Sequence, residues 1–248
     1  MPLAADEIST DEVRDLAARF ESQSLTEILD WAWQRFGARA AIGTSFQGAG
    51  LVMIDHARKA GLDLPVFTLD TNLLFPETYE LKRRLEDFFG IKIEGLEPEV
   101  SLDQQTRDFG TELWNSKPDL CCQLRKVEPL KSKFEQLGVW ITGLRRQQSD
   151  TREKTRILER YHFDLLRDHY LLKLNPMAPW SREQVWAYIH EHHIPYNPLH
   201  DRGYRSIGCW PCTRATDAGE NERAGRWTGF DKAECGIHTF LGMQMFLK

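Results

Sequence analysis

The feature that most restricts the fold of this chain is a repeated unit: a short apolar run ends in small or polar residues and gives way at once to a helix-forming stretch. The first copy is Ala38-Arg39-Ala40-Ala41-Ile42-Gly43-Thr44-Ser45, followed by the turn Phe46-Gln47-Gly48-Ala49-Gly50 and a helical stretch from Leu51 to Ala60. The second is Leu64 to Leu69, ending at Asp70-Thr71, with Phe75-Pro76-Glu77 opening a helix at a position where proline is tolerated. Ile91 to Leu96 is a third strand, Val139-Trp140-Ile141-Thr142-Gly143 a fourth after helical Val127 to Leu137, and Tyr170 to Leu174 a fifth. Parallel neighbours need a crossover, usually a helix, so this alternation predicts an α/β domain: a Rossmann-like parallel sheet flanked by helices.

The ends frame that unit. Thr10 to Phe36 carries apolar residues at helical spacing and reads as two opening helices. Ser181-Arg182-Glu183-Gln184 has the spacing of a capping box and predicts a helix to about His192, which Ile194-Pro195-Tyr196-Asn197-Pro198 ends. From there the chain is rich in Gly, Arg and Cys, with little periodicity until Phe240. We expect an α/β domain over residues 1–200 and, over 201–248, a loop-rich segment packed on the same domain that carries function. His190, His192 and His193 read as a solvated helix face.

With 248 residues the chain should bury roughly 70 to 75% of its unfolded surface, enough to hold a core without disulfides. Its 5 cysteines are therefore free for chemistry. A net charge of −5 argues against a protein that coats nucleic acid, so an anionic ligand must be caught locally. No basic and apolar leader opens the chain, and no run of about 18 apolar residues occurs, so the expectation is a cytoplasmic protein without a membrane segment.

Four cysteines form two close pairs, Cys121-Cys122 and Cys209-Trp210-Pro211-Cys212. Together they make a tetrathiolate set suited to zinc or an iron–sulfur cluster. Adjacent side chains diverge, so Cys121 and Cys122 strain a single zinc site and sit more easily on the separated irons of a cluster. Against a thioredoxin-type redox pair, the Cys-x-x-Cys lies with Gly208 and Pro211 in a loop near the C-terminus and not at a helix start after a βαβ strand. Cys235 has no partner left; it sits between Lys232 and His238, downstream of Arg223 and Arg226. Cationic neighbours favour a thiolate, which a nucleophile requires, and the two guanidinium forks suit phosphate or sulfate.

Two further segments point to an anion. Arg145, Arg146 and Arg152 follow the fourth strand, at the carboxyl edge where open α/β sheets bind ligands. Ser45-Phe46-Gln47-Gly48 opens a helix at the same edge and offers backbone N–H groups. There is no Gly-x-x-x-x-Gly-Lys-Ser/Thr loop and no Gly-x-Gly-x-x-Gly fingerprint.

Taken in order, these segments resemble the sulfonucleotide reductases, specifically the assimilatory adenosine 5′-phosphosulfate (APS) reductases that carry an iron–sulfur cluster. The matching residues are Thr44-Ser45-Phe46, Leu69-Asp70-Thr71, Leu74 to Thr78, Cys121-Cys122 with Arg125-Lys126, Trp140 to Gly143, Arg145-Arg146, Gln148-Ser149 and Thr151-Arg152. They continue with Asn197 to Asp201, Cys209, Pro211 to Arg214, and Glu234-Cys235-Gly236 with His238. The chain departs from that pattern at Gly48-Ala49-Gly50, where many members have an acidic pair, and at Asn72, where glycine is common.

The resemblance implies a fold like the adenine-nucleotide α-hydrolases, with the turn after the first strand in place of that superfamily's pyrophosphate loop. It implies one four-iron four-sulfur cluster per chain on Cys121, Cys122, Cys209 and Cys212, and substrate contacts from Ser45, Phe46, Gly48, Leu69, Asp70, Thr71, Lys126, Arg145, Arg152, Arg223 and Arg226. Cys235, with His238 beside it, would attack the sulfur of APS to form an S-sulfocysteine and release AMP. Thioredoxin would then release sulfite, in sulfate assimilation toward cysteine. Members commonly form homo-oligomers. The alternatives are a reductase of the 3′-phosphorylated substrate (PAPS), whose specialised forms usually lack the four cluster cysteines, an ATP pyrophosphatase or tRNA-thiolating relative, whose Ser-Gly-Gly-x-Asp-Ser motif is absent, and a zinc-stapled adaptor.

Overall fold

The computed structural model describes residues 8–238 apart from Leu165. Residues after His238, including the stretch from Phe240, lie outside the described residues. Two helices open the chain, α1 (Thr10–Phe20) and α2 (Leu25–Phe36), each begun by a serine whose hydroxyl accepts an N–H three residues on. The strands β1 (Ala40–Gly43), β2 (Val66–Leu69) and β3 (Ile93–Leu96) follow, separated by α3 (Gly48–Lys59) and α4 (Pro76–Phe89). Short helices α5 (Leu102–Phe109), α6 (Leu113–Ser116) and α7 (Pro118–Cys122) lead through a π-helical turn, Gln123–Val127, into α8 (Glu128–Phe134). Strands β4 (Val139–Thr142), β5 (Leu158–Asp164) and β6 (His169–Leu174) complete the sheet before α9 (Arg182–Glu191).

Among the described residues the sheet has the order β3-β2-β1-β4-β6-β5. Its first five members are parallel, and β5 runs antiparallel to β6 at the edge. The inner strands are buried on both faces, which is why they read as unbroken apolar runs. On one face α2, α3 and α9 pack through Leu29, Leu51, Val52 and Ile189. On the other, Phe134 of α8 meets Trp140, Tyr161 and Phe163 at ring distances of 4.8, 6.0 and 5.5 Å. The capping box at Ser181 and Gln184 forms as expected.

The sequence reading missed two features. Strand β5 escaped it because Glu159, Arg160 and His162 interrupt it, so this edge strand lacks the apolar run of a buried parallel strand. The turn to β6 is held by Asp164, whose carboxylate accepts the Leu166 and Arg167 N–H groups. Helices α5 to α7 escaped it because they are too short to show periodicity. The third strand begins at Ile93, two residues later than expected.

Candidate active site

The chain leaves β1 for β2 and β3 on one side, then returns through α8 to β4 on the other side of β1. The order therefore reverses between β1 and β4, where Gly43 pairs with Thr142. Just outside the carboxyl ends at such a reversal the connecting loops diverge and leave a crevice. Here that crevice is a cavity of about 180 Å³. Its β1 wall is Gly43 to Gln47 and Gly50. Thr44 Oγ1 accepts the Phe46 N–H at 2.9 Å, fixing a turn in which Phe46 takes φ +57°. Gly50 is obligatory, since a Cβ there would lie 2.2 Å from Thr44 Oγ1. The Gln47 side chain bonds both the carbonyl and the N–H of Ile207, which seats the loop-rich segment on the mouth of the crevice.

The turn after β2 receives the cysteines. Asp70 Oδ1 accepts the Asn72 N–H at 3.0 Å and the Tyr79 hydroxyl at 2.7 Å. Asn72 itself takes φ +55°, a left-handed conformation that glycine adopts freely and asparagine tolerates. Trp210 N–H then bonds the Leu73 carbonyl at 2.8 Å, drawing the Cys209–Cys212 loop onto this turn, while Thr71 Oγ1 lies 3.3 Å from Cys209 Sγ. From the other side, the fully buried Arg125 guanidinium donates to Gln105 Oε1, the Thr71 carbonyl, Asn72 Oδ1 and the Val100 carbonyl. That network clamps the Cys121-Cys122 helix against the same turn. The π-helical turn adds the residue that lets Arg125 face the β2 turn while Lys126 reaches Cys209.

All four thiols are free and act on one another electrostatically. Burial, with neighbouring thiolates adding, pushes Cys121 up to about 12 and Cys212 up to about 11. For Cys209 burial works in the same direction, but Lys126, the Thr71 hydroxyl and Arg226 outweigh it and lower the thiol. Lys126 is buried, yet the Cys209, Cys122 and Cys235 thiolates hold its ammonium protonated. Among the described residues no group of three or more Cys, His, Asp or Glu converges as a single ion requires. In its chemistry, a set of four thiols is what an iron–sulfur cluster would take, and the positive irons would offset the cost of placing four thiolates together.

The residues expected from sequence to meet an anion come together at the same crevice. Lys126, Arg152, Arg223, Arg226, Cys235 and His238 all line it, with Ser45, Phe46, Leu69 and Thr71. Arg226, Arg223 and Lys232 stand 4.5, 5.7 and 5.6 Å from the Trp227 ring centre, so one indole gathers three cations. Burial and the adjacent Arg152 lower the Arg223 guanidinium to about 10, which leaves it charged at neutral pH. His238 stacks on Trp140 at 5.0 Å and 10°. Burial, with Lys173, Arg152 and Arg223 nearby, depresses it well below the usual imidazole range, so it is neutral. Arg226 Nε, Trp140 Nε1, Trp227 Nε1 and His238 Nδ1 are buried and have no hydrogen-bond partner among the described residues.

Three expected contacts stand outside the cavity wall. Asp70 shapes the β2 turn as described. Gly48 opens α3 against α9, where a Cβ would lie 2.7 Å from Val185 Cγ1. Arg145 is buried and donates through Nη2 to both oxygens of Glu222, 2.9 Å each. Arg146 turns away to Glu21.

Residues 39–215 match the family model described as phosphoadenosine phosphosulfate reductase domain, a span that holds both cysteine pairs and both crevice loops. The chain belongs to that family. Within the phosphoadenosine phosphosulfate reductase family it is 42% identical over 244 residues to the adenosine 5′-phosphosulfate reductase of Salinibacter ruber, covering 96% of this chain and 95% of that one. It is 40% identical over 235 residues to adenosine 5′-phosphosulfate reductase 2 of Bacillus subtilis, covering 93% and 98%. A solved phosphoadenylyl-sulfate reductase from Candida auris, a phosphate complex, superposes with TM-score 0.73 at 30% identity, covering 84% of this chain and 98% of that one. At 12% identity, an FMN adenylyltransferase of Candida glabrata, TM-score 0.56, over 93% of this chain and 80% of that one, shares the fold.

The structure of this reductase-family chain gives a place at the site to residues that had no role assigned from sequence: Gln47, Trp140 and Glu234, which stood inside motifs already read, and Glu222 and Trp227. Glu222 and Glu234 each precede a residue already singled out, and an acid next to a cationic cluster was the signal available.

Proposed function

We propose that this chain reduces APS to sulfite and AMP in assimilatory sulfate reduction, with Cys235 as nucleophile and a thioredoxin-class dithiol protein as reductant. The observation that carries the reading is that Cys235 lines the same crevice as Lys126, Arg223 and Arg226, at the β1–β4 reversal where the fold binds nucleotides. The curated reductases to which it is similar support APS as the substrate.

The Cys235 thiolate attacks the sulfonyl sulfur, forming an S–S bond while the S–O bond to the phosphate breaks and its electron pair leaves with AMP. Negative charge grows on the leaving phosphate, and cations already in place lower the barrier without reorganisation. Lys126, Arg223 and Arg226 supply them; Ser45, Phe46, Leu69 and Thr71 hold the nucleotide. His238, neutral, offers a hydrogen bond beside the thiol in place of a second charge. A thiolate of the dithiol protein then attacks Cys235 Sγ, expelling sulfite. Its second thiol closes a disulfide and frees Cys235, so two electrons pass from dithiol to sulfur.

Cys121, Cys122, Cys209 and Cys212 would hold a four-iron four-sulfur cluster, which when bound supplies a fixed electrostatic and structural centre beside Lys126. The experiment is sulfite formation from APS and from PAPS with thioredoxin, on protein purified without oxygen and assayed for iron. Cys235→Ser abolishes sulfite formation and leaves iron content unchanged; normal turnover in that variant refutes the mechanism. A preference for PAPS replaces the substrate and keeps the nucleophile.

A further inference from the structure

Glu234 is adjacent to the nucleophile and faces the cations assigned to the substrate. Its carboxylate is 14% exposed. Arg152 donates to it through Nε at 2.8 Å and Nη2 at 2.8 Å. Arg223 adds Nη2 at 3.1 Å, and Thr151 its hydroxyl at 3.3 Å. Burial opposes ionisation, but these donors outweigh it and hold the carboxyl below its usual range.

The two arginines are engaged unequally. Arg152 donates its remaining nitrogen, Nη1, to Gln148 Oε1 at 2.6 Å, so every nitrogen of that guanidinium is bonded to protein. Arg223 uses Nη2 for both Glu234 and the Ala233 carbonyl, 2.8 Å away. Its Nε and Nη1 have no hydrogen bond among the described residues, and its side chain lines the crevice. Arg152 is thus an anchor for the chain, while Arg223 has donors to spare for a ligand.

We propose that Glu234 is a positioning residue that docks Cys235 over the anion site, with Arg152 as its dedicated anchor and Arg223 as an anchor shared with substrate. The inference rests on the reading of Cys235 as the nucleophile. Consecutive Cα atoms are about 3.8 Å apart, so a carboxylate held by two guanidiniums leaves the neighbouring thiol little freedom. Flanking contacts set the path of the arm without fixing the thiol: Lys232 pairs with Asp119 before it, and Ile237 accepts the Tyr161 hydroxyl at 2.8 Å after it. Attack at sulfur needs the thiol in line and close, and a displacement of about 1 Å costs on the order of 100-fold in rate.

The test uses the holoprotein with Glu234→Gln, Glu234→Asp, Arg152→Gln and the Gln–Gln double variant. Three quantities are read: the single-turnover rate of Cys235 sulfonation at saturating APS, the dissociation constant of AMP, and the rate of Cys235 alkylation by iodoacetamide without substrate. Glu234→Gln and Arg152→Gln each slow sulfonation by about 100-fold, and the double variant is no slower than the worse single one, because contacting residues are not additive. AMP binding stays within about threefold, alkylation speeds by about tenfold as the arm undocks, and Glu234→Asp, which keeps the charge, recovers part of the rate. Weaker AMP binding with an unchanged sulfonation rate, multiplicative losses in the double variant, or unchanged alkylation each overturn the proposal. If the wild type makes no sulfite from APS, the proposed reaction falls, while alkylation rates across the same four variants still decide the docking. If it turns over normally and alkylation is unchanged in Glu234→Gln, docking alone falls.

Discussion

Gly208→Ala is a one-carbon test of whether Arg226 acts where the structure puts it. A Cβ at residue 208 would lie 2.2 Å from Arg226 Nη2, 2.4 Å from Cζ and 2.7 Å from Nη1. Carbon atoms in contact stand about 3.5 to 4.0 Å apart, so the guanidinium must retreat by more than about 1 Å. The backbone of residue 226 cannot follow: its N–H bonds the Arg223 carbonyl at 2.9 Å and it bridges to Thr213. The side chain swings instead, away from the Trp227 face and the crevice. Such a misplacement costs on the order of 100-fold in kcat/KM. Stability suffers little, about 1 kcal/mol or less, because the displaced group is the free end of a flexible side chain. The assay is kcat/KM for sulfite formation in Gly208→Ala, Arg226→Ala and the double variant, with melting temperature and iron content as controls. The double variant should match Arg226→Ala, since the alanine then meets empty space. Activity of Gly208→Ala within threefold of wild type, or a further loss in the double variant, refutes the reasoning.

His200 gives a pH signature. Its Nδ1 bonds the Tyr204 carbonyl at 2.7 Å, its Nε2 is buried with no partner among the described residues, and burial lowers it to about 4. The unfolded chain binds a proton below about 6.5 and the native chain does not, so this stability is complete above that pH and is lost as pH falls toward 4, at about 1.4 kcal/mol per unit. Urea unfolding at pH 7.5 and 5.5 should show a larger drop in wild type than in His200→Gln; equal drops sink the assignment. Phe134→Ala should cost about 3–5 kcal/mol, because the ring is the hub between α8 and the sheet. A denaturant midpoint corresponding to less than about 1 kcal/mol would show that the aromatic cluster closes over the gap. Cys209→Ser should lose iron and visible absorbance; an unchanged spectrum removes Cys209 from the cluster set.

What could be read ahead of the structure, and what could not, divides by burial and by range. Strands β1, β2, β4 and β6 were legible because a parallel strand covered on both faces must be apolar throughout, and turn residues bound each run. Strand β5 was illegible because its partner holds only one edge of it, and its charged residues find partners such as Lys173 and the Ile8 carbonyl that local sequence does not announce. The cysteines were legible because thiols have few uses in a chain long enough to need no disulfides. Arg145 and Arg152 were legible as arginines at the carboxyl edge but not as to partner. Whether a guanidinium faces a ligand, Glu222 or Glu234 is settled by residues some 80 positions away.

The sequence by itself determined the layered α/β architecture, the four-thiol set, the unpaired Cys235 and a cationic edge, since each follows from local pattern or residue chemistry. Tertiary structure alone decided which cations are free. The sheet order reverses between β1 and β4, and that reversal brings the π-helical turn, the Cys209 loop and the Cys235 arm to one crevice. There, among the described residues, Arg152 is engaged by Glu234, Arg145 by Glu222 and Lys126 by Cys209, while Arg223 and Arg226 keep donors open. Charge pairing depends on distances of a few ångströms between residues far apart in the chain, and only the packed fold sets those distances.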